Sequence, residues 1–106
     1  MDTIWEFPLE FAPRQAITMP KGAKLLTVQT QQDTICIWAI VSPAAPQETR
    51  VFIIVGTGDD LDDGTGEYLG TVQQGPYVWH LFEEIRVQQE EEIRVQQEID
   101  SALGPF

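Results

Sequence analysis

The side chains able to do chemistry are few and unevenly spread. Residues 59–67 hold five acids, Asp59, Asp60, Asp62, Asp63 and Glu67, and no base. Carboxylates crowded on a glycine-rich turn are the donor set a hard cation such as calcium requires. Aligning the turn on Gly64 puts Leu61 where an acid or amide is needed and Gly70 where the closing glutamate belongs. A solvated loop is the expectation, and no metal site is assigned. His80 is the sole histidine. A general base needs a nucleophile or substrate within hydrogen-bonding reach, and beside Trp79 on an extended run His80 reads as a half-buried structural residue. A lone histidine and a lone cysteine leave a tetrahedral transition-metal site short of ligands. Gly56-Thr57-Gly58 follows an apolar run, as a dinucleotide-binding turn does. The third glycine and the helix are missing, and the neighbouring aspartates would repel a pyrophosphate. No catalytic residue and no cofactor are assigned; the chain reads as a non-enzyme.

Rings and bases offer a different chemistry. Trp5, Trp38, Phe52, Tyr77 and Trp79 fall where a β-core wants large side chains. Aromatic rings can also sandwich a nucleobase, with Gln29, Gln31, Gln73 and Gln74 supplying edge hydrogen bonds. Trp5 and Tyr77 are the stacking candidates. Arg14, Lys21, Lys24 and Arg50 are the bases outside the C-terminal segment, and so the candidate phosphate ligands.

The formal charge of −11 on 106 residues is localised. The loop contributes −5, residues 83–100 contribute −5, and everything else only −1. A nearly neutral body therefore carries acid in one loop and one tail. Direct binding to a nucleic acid backbone is not expected, because phosphate attraction needs a basic surface. A basic protein partner suits the charge better. No apolar run is long enough for a membrane-crossing helix, and the first residues lack the positive charge of a secretion signal. Cys36 has no second cysteine to pair with. A reducing bacterial cytoplasm is the expected compartment, with Cys36 as a small core residue.

These groups must be positioned by extended elements. From Lys24 to Thr57 run K-L-L-T-V-Q-T-Q, T-I-C-I-W-A-I-V-S and T-R-V-F-I-I-V-G-T, broken at Gln32-Asp33 and at Pro43-Ala-Ala-Pro46. The runs are rich in β-branched residues and predict three consecutive antiparallel strands, a meander. The middle run is apolar on both faces, so it reads as a central strand covered on both sides. Ile4–Phe11 alternates, with Trp5, Phe7, Leu9 and Phe11 on one face, and Pro8 marks an edge strand. Gln15–Met19 is a short strand ended by the turn Pro20-Lys21-Gly22, and residues 67–73 and 77–82 flank the turn Gln74-Gly75-Pro76. The expected fold is mainly β: a small antiparallel sandwich or partly open barrel with one C-terminal helix.

That division gives a β-rich body over residues 1–82, with the acidic loop at 58–67, and an acidic helical tail over 83–106. In the tail, E-E-I-R-V-Q-Q-E at 83–90 recurs unbroken at 91–98. Its composition favours helix, and Phe82, Ile85, Ile93, Val95, Ile99, Ala102 and Leu103 share one side of such a helix. A rival reading extends the last strand through Ile85 and Val87. The apolar positions keep no heptad, so packing on its own sheet or on a second copy is expected rather than a coiled coil. A two-fold homodimer is the expected assembly.

Five segments together resemble a family of short proteins encoded mostly by bacteriophages and prophages. They are T-I-W-E-F-P-L-E at 3–10, M-P-K-G-A-K-L-L-T-V-Q at 19–29, I-W-A-I-V at 37–41, R-V-F-I-I-V-G-T-G at 50–58 and Y-L-G-T-V-Q-Q-G-P-Y-V-W-H-L-F-E at 68–83. The resemblance implies a phage-type accessory protein and carries over no catalytic residue. The chain departs from the family pattern at the doubled-acid loop and the repeated tail.

Three functions follow as expectations. The first is a counter-defence protein that sequesters a nucleotide-derived signal by stoichiometric binding in an oligomer, using Arg14, Lys21, Lys24, Arg50, Trp5 and Tyr77. The second is an acidic inhibitor that docks Asp59, Asp60, Asp62, Asp63 and Glu67 on the basic nucleic-acid-binding cleft of a host protein. The third is a minor structural component of the virion.

Overall fold

The computed structural model describes residues 1–62 and 64–84. It contains seven strands: β1 (Thr3–Pro8), β2 (Arg14–Pro20), β3 (Lys24–Gln31), β4 (Thr34–Val41), β5 (Gln47–Gly56), β6 (Glu67–Gln74) and β7 (Tyr77–Glu83). They form two antiparallel sheets, three-stranded β1-β4-β3 and four-stranded β2-β5-β7-β6. The fold is mainly β and sandwich-like, and it does not close into a barrel. The tail helix and the alternative strand through Ile85 and Val87 lie outside the described residues, as does Asp63.

Turn chemistry sets the local connections. Gln32 and Asp33 both take positive φ, 49° and 65°, as the tight hairpin joining β3 to β4 requires. Gly75, with φ 57°, occupies the first central position of the β6–β7 hairpin, where Gln74 pairs with Tyr77. Gly22, with φ 82°, lets the Ala23 amide reach back to the Pro20 carbonyl at 3.2 Å.

The expected three-strand meander is corrected at its second turn. Strands β3 and β4 pair as a hairpin, but β5 joins the other sheet and pairs with β2 and β7. Both edges of β4 are already occupied, one by β3 and the other by β1, in register from Thr3 opposite Val41 to Pro8 opposite Cys36. The Pro43–Pro46 connection then carries the chain across, and the Pro46 carbonyl accepts the Lys21 amide at 2.7 Å. As expected, β4 is central and β1 is an edge.

Period-two alternation sorts the faces. Ile35, Ile37, Ala39 and Val41 of β4 meet Met19, Phe52, Val72 and Leu81 in one apolar core. The two sheets meet along β3 and β6 without a backbone ladder. Val28 lies beside Gly70, the Thr30 hydroxyl donates to the Gln73 carbonyl at 2.7 Å, and the Gln74 amide donates to the Asp33 carbonyl at 2.5 Å. Register shifts at Leu26 and Leu69 splay the other end of this seam.

Candidate functional site

Arg50 is not the exposed base expected of a phosphate ligand. It sits on β5 in phase with the fully buried Phe52, and only 4% of its surface is exposed. Its Nε and Nη2 donate to Glu83 Oε2 and Oε1 at 2.5 and 2.7 Å, and Nη1 donates to the Ala23 carbonyl at 2.6 Å. Glu83 ends β7 in phase with Leu81 and is itself buried. A bidentate, carbonyl-supported arrangement is what makes a buried ion pair tolerable.

Arg14 is engaged in the same way at the surface. Its Nη2 lies 2.7 Å from Glu84 Oε2 and its Nε 3.2 Å from Oε1, and this hydrogen bonding holds the guanidinium pKa above its ordinary value. The Glu84 amide also donates to the Val51 carbonyl at 2.9 Å. Glu83 and Glu84 are therefore both held against the β-rich body.

The six proposed ligand residues are not brought together. Lys21 is exposed in the β2–β3 turn. Lys24 and Arg50 share a recess of about 370 Å³ at the splayed end of the seam, with Glu67 and Glu83 in its wall. Two carboxylates there balance the two bases, so the recess offers an anion no net attraction. Trp5 stands on edge strand β1 against Phe7, with centroids 6.3 Å apart, while Tyr77 stands on the other sheet.

Tyr77 does anchor a second recess, of about 410 Å³, lined by Gly56, Thr57, Asp59, Pro76, Tyr77, Val78 and Trp79. The Tyr77 and Trp79 rings stack at 5.7 Å with 27° between their planes. Trp79 is fixed from behind: its indole N–H donates to Gln74 Oε1 at 3.0 Å, and the Phe11 ring meets it edge-on at 5.5 Å. Asp59 closes a turn on Gly56, donating its amide to the Gly56 carbonyl at 3.1 Å and accepting the Gly56 amide on Oδ2 at 3.0 Å. Gly56 needs its missing side chain here. A Cβ would lie 2.8 Å from Asp59 Oδ2 and 3.1 Å from Trp79 Cζ3, so carboxylate and indole converge on one point.

From this recess the acidic loop leads out to solvent. Asp59, Asp60, Leu61 and Asp62 are all exposed, as is Glu67 where β6 begins. Buried Thr65 fixes the loop, donating its amide and hydroxyl to the Asp62 carbonyl at 3.1 and 2.6 Å. Asp59 thus folds back on Gly56, while Asp60, Asp62 and Glu67 are exposed around a loop pinned at Asp59 and at Thr65. Among the described residues no group of acids, histidine and cysteine forms a metal cage.

His80 lies on the opposite face of β7. Its Nε2 hydrogen-bonds the Thr57 hydroxyl at 2.8 Å and its Nδ1 the Thr71 hydroxyl at 2.9 Å, and Thr71 continues to the Tyr68 hydroxyl at 2.5 Å. Both ring nitrogens are engaged by hydroxyls, Thr71 on neighbouring β6 and Thr57 just past the end of β5, a pattern that ties the turn after β5 to the sheet. Sequence reading placed the histidine on a strand but had no means of finding its threonine partners, which pairing alone brings alongside.

Cys36 is buried as expected, on the face of β4 opposite Ile35, Ile37 and Ala39. Its thiol donates to Glu6 Oε1 at 3.2 Å. Burial first, and then that carboxylate, push its pKa from 9.0 up to about 11. Iodoacetamide labelling at pH 8 should therefore run on the order of 100-fold slower than with an unhindered thiol, and urea should restore the rate. The folded pKa lies above the unfolded one, so the thiol's contribution to stability is complete below pH 9. It is lost as pH rises through about 11, which alkaline denaturation of the wild type against Cys36→Ala would register.

No described helix is long and apolar enough to cross a membrane, a statement that does not bear on strands. Comparison with curated proteins and with solved structures gives no match. The model of one protein family, described as a domain of unknown function, DUF7352, matches residues 1–92. That span takes in all seven strands, both recesses and the acidic loop, and the chain belongs to this family.

Proposed function

We propose that the protein is a non-enzymatic, phage-type accessory factor that docks its acidic loop on the basic nucleic-acid-binding cleft of a host protein. One contrast carries the reading. Two of the four bases outside the tail, Arg14 and Arg50, are already held by Glu84 and Glu83, whereas Asp59, Asp60 and Asp62 are exposed and in no salt bridge among the described residues. A nucleotide-derived ligand would lose half of its expected phosphate contacts to these internal pairs. A basic partner meets exposed carboxylates on a loop pinned at Asp59 and Thr65, with no internal base to displace.

The test is capture from host lysate on immobilised protein, with Asp59→Asn/Asp60→Asn/Asp62→Asn as the comparison. The captured protein should itself bind nucleic acid and be displaced by duplex DNA. Its retention should fall at least about tenfold between 50 and 300 mM salt, and it should be lost with the neutralised loop. Capture indifferent to both salt and loop charge would overturn the proposal. So would native mass spectrometry showing a co-purified nucleotide that the neutralised loop still retains.

A further inference from the structure

We infer that the recess beside Tyr77 seats one arginine side chain of the basic partner, its guanidinium laid on the Tyr77–Trp79 stack and paired with the Asp59 carboxylate. The inference rests on the docking reading and supplies its anchor. Charge alone makes an interface fast and salt-sensitive; a recess that takes up one side chain gives it register.

Geometry selects the occupant. Tyr77 is 59% exposed, so its ring face is open, while Trp79 beneath it is half-buried and locked by Gln74 and Phe11. An aromatic face attracts a cation, and the planar guanidinium both stacks on the ring and directs N–H groups outward in the same plane. Asp59 lines the same recess: it spends Oδ2 on the Gly56 amide, and no described residue donates to its other oxygen. No base lines the recess, so a phosphate finds no partner there. A volume of about 410 Å³ suits a long side chain with room for water. An ammonium could pair with Asp59 but could not stack, so arginine is favoured over lysine.

Calorimetric titration with hexa-arginine and hexalysine peptides at 50 mM salt tests the assignment. Wild type should prefer arginine at least about threefold, and Tyr77→Ala should weaken hexa-arginine about fivefold and abolish the preference. Tyr77→Phe keeps the ring and should bind as wild type. Asp59→Asn should weaken both peptides, and hexa-arginine more. If Tyr77→Ala, with an unchanged circular dichroism spectrum, binds hexa-arginine as wild type does, the arginine seat is wrong. In that event weakened binding by Asp60→Asn/Asp62→Asn would leave acidic docking standing, whereas unchanged binding would remove both.

Discussion

Glu83→Ala is expected to cost about 3–5 kcal/mol of folding stability, because it strands the Arg50 guanidinium, almost wholly buried, without its carboxylate. For a body of this size that lowers the melting temperature by at least about 12 °C. The loss comes from the orphaned charge rather than from the missing attraction. Arg50 would retain the Ala23 carbonyl and the Met19 sulfur at 3.7 Å, neither of which neutralises it. The distinguishing experiment is the double replacement Arg50→Met/Glu83→Leu, followed by urea unfolding. Removing both charges should recover most of the stability, since a well-packed apolar pair often matches or exceeds a buried ionic one. If Glu83→Ala alone unfolds at the wild-type urea midpoint, the pair is not buried in solution.

Gly66→Ala should be nearly as damaging, at about 3 kcal/mol or more, for a separate reason. Gly66 has φ 81°, and its missing side chain would land on the Glu83 carbonyl oxygen and 3.0 Å from the Glu84 Cα. Backbone cannot swing aside as a flexible side chain can, so the loop or the end of β7 must move. Two glycines in the same loop serve as controls. Gly58 has φ 92° but open space around it, so Gly58→Ala should lose only the left-handed penalty, about 1–2 kcal/mol. Gly64 has neither constraint, and Gly64→Ala should unfold within about 0.5 kcal/mol of wild type. A graded series, Gly66 far beyond Gly58 and Gly58 beyond Gly64, would establish that the acidic loop is riveted to the last strand. Equal effects in chemical denaturation would show that it is not.

Much of this architecture is legible in the residues themselves. Alternation in W-E-F-P-L marks an edge strand, and the doubly apolar I-C-I-W-A-I-V marks a central one. Gly75-Pro76 and Gln32-Asp33 locate hairpins, because those turns demand particular φ values at particular positions. What local pattern cannot supply is the choice of partner. Whether β4 receives β5 or β1 on its free edge depends on a pairing some thirty residues away in sequence, and the N-terminal strand wins that edge.

The candidate site was less legible, and Arg50 shows why. A base in a sequence of few bases reads as a surface ligand when charge is considered alone. The period-two pattern holds a contrary signal: Arg50 is in phase with Phe52, and Glu83 is in phase with Trp79 and Leu81. Opposite charges on the core phase of two strands point to an internal pair, provided the strands are neighbours, and only the fold establishes that β5 and β7 are. The sequence offers Tyr77 as a stacking candidate and Asp59 only as part of an acidic docking loop, with nothing to join the two. Asp59 reaches the Tyr77 recess through a four-residue turn that starts at Gly56, a contact that composition does not encode.

Glu83 and Glu84, which clamp two arginines of the body, are also the opening letters of the tandem octad, and Glu91-Glu92 opens its second copy. Excising either copy leaves the same string of letters, with Phe82 still followed by two glutamates. A change of length by one whole octad therefore leaves in place both glutamates that hold Arg50 and Arg14.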